Sequence, residues 1–415
     1  MAERRPLLHR FFMRLRGLGL AAAAVASGTP ARAEVPALQL VATWPVEVEG
    51  GPELPAAHEV WTTMIDGARE RIDLAHFYAS NAEGSRLEPV VAALERAAAR
   101  GVRIRWLGEE KFYATYPETL DRLAARDGIT VRRLRTEELL EGVLHTKVML
   151  VDGRSAFVGS QNFDWRALEH IVELGVQIRD APTVAVFDEV FEADWRLAGG
   201  EALEEIAADW SVDARDFPRT VQHDGAPVAI VPALSPPGFV PDDDFLDLPR
   251  MLDAIGAART TVRAQMLSYS PVTRDGGDWP VLDQALRAAA TRGVRVELLV
   301  SHWNTRPGQV EHLKSLQVLP NVEVRVATVP AWSGGFIPFA RVIHAKTLTV
   351  DGRWSWVGTS NWSEGYFTGG RHHGLVVEGA PFAADVDDVF DRVWNAPWTA
   401  TVDPAREYPV PRVGE

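Results

Sequence analysis

One pattern of residues occurs twice in the sequence, with identical spacing in the two copies. The first copy consists of His145, Lys147, Asp152, Gly159, Ser160 and Asn162, and the second of His344, Lys346, Asp351, Gly358, Thr359 and Asn361. One copy alone arises readily by chance, whereas two copies at one spacing indicate a duplicated functional unit. The 43 basic residues include four lysines, at 111, 147, 314 and 346, and two of these lie in the motifs. Those positions favour a compact ammonium group over a planar guanidinium.

The similarity between the halves extends beyond the motifs. The end of an amphipathic helix followed by a buried strand at residues 65–78 recurs at 255–267, and a second such pair at 90–106 recurs at 281–298. Alternating helices and short apolar strands are typical of an α/β sandwich. We therefore predict an α/β fold of two tandem, pseudo-symmetric sandwich lobes with the active site at their interface.

The length of the chain fits this duplication. A chain of 415 residues with 46% hydrophobic side chains can bury two cores. The mostly polar stretch 211–227 predicts a boundary between an N-terminal lobe, 34–215, and a C-terminal lobe, 216–415. The absence of cysteine excludes disulfides, thiolate catalysis and cysteine-based zinc sites.

Residues 1–33 have the pattern of an export signal. A basic stretch precedes the apolar run 17–26, and Ala31-Arg32-Ala33 has the small-x-small form of a cleavage site. The pair Arg4-Arg5 leaves both the general secretory and the twin-arginine routes open. We expect cleavage after Ala33 and a periplasmic or secreted protein.

Removal of that segment would make an acidic chain more acidic. Six arginines and one glutamate would be lost, which takes the net charge from −14 to −19. Such a charge disfavours sequence-independent binding to long nucleic acids or anionic membranes. An anionic substrate would therefore need a local positive pocket.

The motif residues are suited to phosphodiester chemistry. Side chains two apart on a strand share a face, so His145 and Lys147 lie together, as do His344 and Lys346. Two lobes packed about a pseudo-two-fold would bring both pairs to one cleft. Such a cleft offers a nucleophilic imidazole, an imidazolium to protonate the leaving oxygen, and two ammonium groups for the phosphoryl oxygens. We expect neither a metal nor another cofactor.

The remaining motif residues have supporting roles. We expect Asn162 and Asn361 to donate hydrogen bonds to the phosphoryl oxygens, with the hydroxyls of Ser160 and Thr359 assisting. Asp152-Gly153 and Asp351-Gly352 are hairpin-turn dipeptides. The aspartates are more typical of side chains that hold turns and nearby backbone than of catalytic groups.

The paired motifs resemble the HKD signatures of the phospholipase D superfamily. The flanking segments 144–147, 159–166, 173–176, 341–346 and 358–363 are similar to the branch with the lysosomal phospholipase-D-like 5′ exonucleases and the poxvirus envelope phospholipases. The resemblance implies two phospholipase-D-like lobes and a metal-independent phosphodiesterase that acts through a phosphohistidine.

The resemblance also suggests roles for the two histidines. Glu173, 28 residues after His145, matches the family's carboxylate that orients the nucleophile, whereas the same offset from His344 leads to His372. We therefore expect His145 to be the nucleophile, oriented by Glu173, and His344 to be the general acid.

Two other features have competing interpretations. His372-His373 suggests an ordinary loop or strand edge rather than a metal site, because adjacent strand residues face opposite ways. Trp332, Phe336 and Phe339 precede the second motif, where they could stack on a nucleobase, enter lipid or pack on the core.

The expected partner is a phosphodiester substrate. Exonuclease-like cleavage of single-stranded nucleic acid is the preferred interpretation, and phospholipase D or transphosphatidylase activity on phospholipid headgroups is the alternative. A non-catalytic phosphate-binding protein is a third, disfavoured by the presence of all four motif histidines and lysines. Hydrolysis versus transfer to an alcohol, the direction of cutting and the oligomeric state stay open.

Overall fold

A computed structural model of the chain describes residues 36–414. The expected export signal, residues 1–33, lies outside this range. Within it, none of the helices combines the length and the apolar character needed to cross a membrane.

The first lobe combines a seven-stranded sheet, a short two-stranded sheet and flanking helices. Its strands are β1 (Leu38–Thr43), β2 (Arg71–His76), β3 (Ala79–Ser80), β4 (Arg103–Glu109), β5 (Ile129–Leu134), β6 (Lys147–Val151), β7 (Ser155–Gly159), β8 (Phe163–Asp164) and β9 (Glu173–Ile178). Its helices are α1 (Ala57–Gly67), α2 (Glu88–Ala99), α3 (Glu110–Tyr113), α4 (Glu118–Ala124), α5 (Thr136–Leu140), α6 (Trp165–Glu169) and α7 (Ala181–Leu197), and α8 (Leu203–Ala207) follows.

The second lobe contains a nine-stranded sheet. Its strands are β10 (Arg219–His223), β11 (Ala226–Ser235), β12 (Thr261–Met266), β13 (Arg295–Ser301), β14 (Val322–Ala327), β15 (Lys346–Val350), β16 (Trp354–Gly358), β17 (His372–Glu378) and β18 (Thr399–Thr401). Its helices are α9 (Asp247–Ala257), α10 (Val281–Thr291), α11 (Val310–Gln317), α12 (Glu364–Thr368) and α13 (Ala380–Trp394).

The two large sheets share a seven-strand order, to which the second sheet adds β10 at one edge and β18 at the other. The first runs β1-β9-β7-β6-β2-β4-β5, and the second runs β10-β11-β17-β16-β15-β12-β13-β14-β18. In both, the helix-connected strands pair in parallel (β2-β4-β5 and β12-β13-β14), and the motif strands form antiparallel hairpins (β6-β7 and β15-β16). This topology confirms the predicted pair of pseudo-symmetric α/β lobes.

The hydrophobic core runs through both lobes. α1 and α2 cover one face of the first sheet, where Trp61, Ile72 and Trp106 are fully buried. A larger cluster joins the first sheet, α7 and the second sheet, so that Phe187 of α7 lies in the same core as residues of β11 and β17. The lobes therefore share apolar packing, which holds fixed the cleft between them.

The motif aspartates hold the hairpins in place. Asp152 and Asp351 have φ angles of 53° and 54°, and the glycines after them 64° and 60°, as a turn with two left-handed residues requires. The Asp152 carboxylate accepts hydrogen bonds from the backbone N–H groups of Arg69, Glu70 and Arg71 at 2.8–2.9 Å. Asp351 likewise accepts from residues 259–261 at 2.8–2.9 Å. The aspartates thus fasten each motif hairpin to the start of β2 or β12, as the sequence predicted.

A buried ion pair connects the lobes. Arg371, which precedes β17, donates two hydrogen bonds to Asp194 of α7, at 2.6 and 3.1 Å. Both side chains are only 1% exposed. The arginine also donates to the carbonyl of Phe239 at 2.6 Å. A charge at this depth is tolerated because it is paired and hydrogen-bonded.

We predict that Asp351→Asn destabilises the protein by about 1–3 kcal/mol, because an amide group replaces one of the oxygens that accept backbone hydrogen bonds. Burial alone would raise the pKa of Asp351, but the hydrogen bonds from residues 259–261 outweigh it and lower the pKa to about 2. The folded-state pKa is thus below the ordinary 3.8, so the stabilisation is complete above that pH and disappears as the pH falls through 2. Urea unfolding at neutral and acidic pH measures it, with exposed Asp127→Asn as control; equal stability of the two variants at neutral pH would contradict the anchoring role.

We also predict that Arg371→Met lowers the free energy of unfolding by about 3–5 kcal/mol, because Asp194 would stay buried without its partner. The control Arg353→Met removes a surface pair with Glu378, whose side chains are 73% and 54% exposed, and should cost less than about 1 kcal/mol. Thermal and denaturant unfolding provide the comparison. The double variant Arg371→Met, Asp194→Leu should recover part of the loss, and a single variant as stable as the control would refute the importance of the pair.

Candidate functional site

Backbone hydrogen bonds between the lobes bring the two motifs together. The N–H of His145 donates to the carbonyl of Arg371 at 3.1 Å, and the N–H of His344 donates to the carbonyl of Val172 at 2.8 Å. In return, the N–H of Arg371 donates to the carbonyl of Val143, two residues before His145, at 3.0 Å. The N–H of Val172 donates to the carbonyl of Val342, two residues before His344, also at 3.0 Å. Each motif histidine is therefore paired with the residue that precedes the equivalent strand, β9 or β17, of the other lobe.

This crossing places Glu173 beside His344. Both carboxylate oxygens of Glu173 lie 2.9 Å from Nδ1 of His344. The prediction that Glu173 orients His145 was therefore wrong. The reason is geometric: Glu173 begins β9, and the residue before it pairs with the second motif rather than with the first.

His145 has a different environment. Its ring lies 5.1 Å from that of His372, 5.4 Å from that of Tyr366 and 4.9 Å from that of Phe77, measured between ring centroids. Its Nδ1 is buried without a hydrogen-bond partner among residues 36–414. The two motif histidines are thus inequivalent, since one contacts a carboxylate and the other only rings.

The two motif lysines are buried next to their own histidines. Both are fully buried, and the Nζ of each donates to the carbonyl of its own motif histidine at 2.6 Å. Lys147 and Lys346 are close enough to influence one another electrostatically. They are the groups from which we expected the local positive charge for an anionic substrate.

Burial disfavours the charged forms of the motif lysines, the motif histidines and Glu173. It lowers the pKa of Lys346 to about 7, against the attraction of Glu173, and it raises the pKa of Glu173 to about 8, against the attraction of Lys346. Burial also lowers the pKa of His145 and of His344, with Lys147 and Lys346 acting in the same direction. A bound phosphodiester anion would reverse these tendencies for the lysines and histidines, because it stabilises positive charge.

The two motif asparagines have unused polar atoms. Asn162 lines the same cavity as both histidines, and its Oδ1 is buried without a partner in the described part of the chain. Asn361 accepts a hydrogen bond from the N–H of Ser268 at 3.3 Å, while its Nδ2 is buried and unpaired within residues 36–414. Unpaired buried polar atoms are costly, and a phosphoryl group would give the Asn361 amide an acceptor.

The hydroxyl groups of Ser160 and Thr359 have other partners. The Ser160 hydroxyl donates to the carbonyl of Leu174 at 3.1 Å and accepts from the N–H of the same residue at 3.0 Å. The Thr359 hydroxyl lies 3.0 Å from Nδ1 of His372 and accepts from the N–H of His373. These contacts differ from the expected role at the phosphoryl oxygens, because the hydroxyls hold β9 and β17 in position.

His372 and His373 form part of the site rather than an ordinary loop or strand edge. They begin β17, which is paired on both sides by β11 and β16, and both are buried. The Nδ1 of His373 contacts the Thr146 hydroxyl at 2.5 Å, across the lobe interface. The sequence signal was present in the 28-residue offset from His344, but its meaning depends on the crossing of the lobes.

A cavity of about 220 Å³ opens onto both motif histidines. Its aromatic lining consists of Phe77, Tyr78, Phe112, Tyr116, Trp303 and Phe339. Asp164 and Arg166 also line it as a buried ion pair, and the hydroxyl of Tyr78 donates to Asp164 at 2.6 Å. The cavity therefore combines flat apolar surfaces with a polar end at the histidines. Our sequence interpretation missed the aromatic residues of the first lobe, although Phe77 and Tyr78 directly follow β2.

A second, larger cavity of about 900 Å³ reaches the centre from another side. His372, Tyr366 and Ser268 line it, together with polar and charged residues that include Glu141 and Arg274. Since His372 contacts His145, which lines the aromatic cavity, the catalytic centre lies between the two.

The aromatic residues before the second motif have different environments. Phe336 and Phe339 are 44% and 50% exposed, and Phe339 lies at the aromatic cavity. Trp332 is half-buried and its ring lies 5.2 Å from that of His170. Packing on the core therefore accounts for Trp332, whereas the two phenylalanines are partly exposed, and the guanidinium of Arg412 lies over the Phe336 ring at 3.7 Å.

Comparisons with known proteins agree with this geometry. The family model described as "Cardiolipin synthase, PLD-like domain" matches twice, over residues 62–195 and 251–394. Phospholipase D Z of Dictyostelium discoideum is 34% identical over 84% of this chain and 86% of its own length. The 5'-3' exonuclease PLD4 of Mus musculus is 33% identical over 85% of this chain and 76% of its own.

A solved structure also has the same fold. Phosphatidylserine synthase of Haemophilus influenzae Rd KW20 superposes with a TM-score of 0.59 at 12% identity, over 83% of this chain and 85% of that one. At this identity the likeness concerns the fold alone. The two family matches and the curated relatives together show that the chain belongs to the phospholipase D superfamily of phosphodiester-cleaving enzymes.

Proposed function

We propose that the chain is a metal-independent phosphodiesterase that forms a phosphohistidine on His344 and removes nucleotides from one end of single-stranded nucleic acid. The contact between Glu173 and Nδ1 of His344 is the observation that carries the proposal. It fixes the proton of His344 on Nδ1, so that Nε2 presents its lone pair to the cavity.

The first step transfers the phosphoryl group to the enzyme. Nε2 of His344 attacks phosphorus, the P–O bond to the leaving group breaks, and the His145 imidazolium donates its proton to the departing oxygen. Glu173 stabilises the positive charge that develops on the His344 ring. Lys147 and Lys346 neutralise the phosphoryl oxygens, with the Asn361 amide as an additional donor.

The second step regenerates the enzyme. A water molecule attacks phosphorus while neutral His145 accepts its proton, and the P–N bond to His344 breaks. The products are a phosphomonoester and the alcohol released in the first step, and His145 is again protonated. An alcohol in place of water would give a transferase, so that access of the acceptor decides between the two outcomes.

The aromatic cavity supports a nucleic-acid substrate. Base stacking on aromatic side chains contributes about 1–3 kcal/mol per base and tolerates any sequence, and six aromatic residues line this cavity. The net charge of −14 opposes binding of a long polyanion along the surface. If only one end of a strand enters the pocket, its bases can stack on the aromatic residues. Repulsion is then small, because few phosphates approach the acidic surface.

The alternative function, cleavage of phospholipid headgroups, is supported by the exposure of Phe336 and Phe339. Aromatic side chains at the mouth of a cavity can enter a lipid interface, as an enzyme acting on phospholipid headgroups requires. The chemistry at His344 would be the same, and only the group attached to the phosphate would differ.

A trapping experiment tests the nucleophile. We predict that His145→Asn, given a nucleoside p-nitrophenyl phosphodiester, releases one equivalent of p-nitrophenolate per enzyme and then stalls. This leaving group needs no general acid, whereas water attack still needs the missing base. An acid-labile, base-stable phosphoryl label should remain on the protein, and its position can be mapped to His344 by peptide mass spectrometry.

The matched variant His344→Asn should show neither burst nor label. Unfolding curves would verify that both variants fold. Labelling of His344→Asn at His145 would reverse the assignment of the two histidines.

A second experiment tests the substrate. We predict that the purified protein shortens a linear 5′-hydroxyl single-stranded oligonucleotide, leaves a circular one intact, and keeps its activity in EDTA. Tyr116→Ala should raise KM for the linear strand by about 5- to 150-fold, the loss of one stacking contact. Phe336→Ser, which changes an exposed ring that does not line the cavity, should leave that KM unchanged.

Phosphatidylglycerol vesicles provide the comparison in the same assay. Vesicle hydrolysis without oligonucleotide cleavage, reduced by Phe336→Ser, would replace the nuclease proposal with the lipid one. Cleavage of the circular strand would contradict an exonuclease, and loss of activity in EDTA would contradict the metal-independent mechanism.

A further inference from the structure

We propose that His372 is a positioning residue for His145: it places a neutral ring where the equivalent position of the first lobe carries the Glu173 carboxylate, so that His145 gives up its proton more readily than His344 does. This inference rests on the proposed role of His145 as the general acid. It adds a residue that sets the strength of that acid.

The position of His372 follows from the pseudo-symmetry. Each motif histidine is paired through its backbone with the residue before β9 or β17 of the other lobe. The first residue of β9 is Glu173, in contact with His344, and the first residue of β17 is His372, whose ring centroid lies 5.1 Å from that of His145. The two positions are equivalent in the fold, but one has a carboxylate and the other an imidazole.

The structure holds the His372 ring at this position. Its Nδ1 lies 3.0 Å from the Thr359 hydroxyl. A Cβ at residue 370 would lie 2.5 Å from Nε2 of His372, so the glycine at this position makes room for the ring. His372 is 1% exposed, and its surroundings leave it one orientation beside His145.

The groups that act electrostatically on His145 are positive or neutral, and Asp164, which lines the same cavity, is paired with Arg166. The titratable groups that face it are Lys147 of its own strand, His344 and Lys346 of the second motif, and His372 and Tyr366 of the second lobe. Glu173, the carboxylate in the centre, contacts His344. A neutral His372 therefore leaves the His145 imidazolium without a counter-ion until a phosphodiester binds.

The two motif histidines therefore have different roles in the proposed mechanism. A carboxylate beside an imidazole favours the charged ring, which suits a nucleophile that becomes positively charged on phosphorylation. A general acid must instead lose its proton to the leaving oxygen. Burial and the neighbouring cations lower the pKa of His145 and of His372, which agrees with a neutral His372 and an easily released proton on His145.

The test compares His372→Glu with His372→Gln, which differ in charge and match in size. A carboxylate next to an imidazole raises its pKa by about one to three. In His372→Glu, the NMR-monitored titration of the His145 ring should move upward by that amount, and the basic limb of the pH profile of kcat should follow. His372→Gln should titrate like the wild-type protein.

The readouts separate this inference from the proposed function. An unchanged His145 titration in a folded His372→Glu variant would overturn the positioning role and leave the phosphohistidine mechanism intact. A shifted titration with an unshifted basic limb would instead show that His145 is not the general acid, which contradicts the proposed mechanism.

Discussion

The site depends on the two backbone bridges between the lobes, Leu144 with Arg371 and Val172 with Ile343. Through them each motif strand reaches the centre paired with a segment of the opposite lobe, and each histidine meets the side chain that begins the opposite strand. The catalytic centre therefore exists only when the lobes are docked. The shared apolar core and the Arg371–Asp194 pair maintain that docking, because both join the second lobe to α7.

The docked lobes bury two lysines and one glutamate at the centre. Lys147, Lys346 and Glu173 are fully buried, and taking ammonium and carboxylate groups out of water is costly unless they are balanced. Burial lowers the pKa of both lysines and raises the pKa of Glu173, and the negative charge of a phosphodiester would favour the charged form of the lysines. In the proposed function the substrate phosphate supplies that negative charge. On that proposal an anion binds at this one point, while a net charge of −14 disfavours contact of the surface with the rest of a polyanion.

The sequence predicted much of this arrangement because the relevant signals are local. Strand alternation placed each lysine beside its histidine, and Asp-Gly identified the hairpins that Asp152 and Asp351 anchor. The partner of Glu173 could not be obtained in this way. Periodicity shows which residues share a face within one lobe, whereas the contact with His344 depends on which lobe's strand approaches which motif. For the same reason the role of His372 and the aromatic cavity could not be predicted from the sequence. Phe77 and Trp303 line one cavity only because the two lobes pack together.

In the proposed mechanism the two histidines have different roles, so the attacking side and the leaving side of the phosphate are distinct. In phosphoryl transfer the attacking and leaving groups lie roughly in line on opposite sides of phosphorus. With His344 as the nucleophile, the leaving oxygen is on the side of His145, next to His372 and the larger polar cavity. In our proposal the group that stays on the phosphohistidine occupies the aromatic cavity of about 220 Å³. On our proposal the long part of the strand is therefore always the leaving group, and the enzyme shortens its substrate from the end that the aromatic cavity holds.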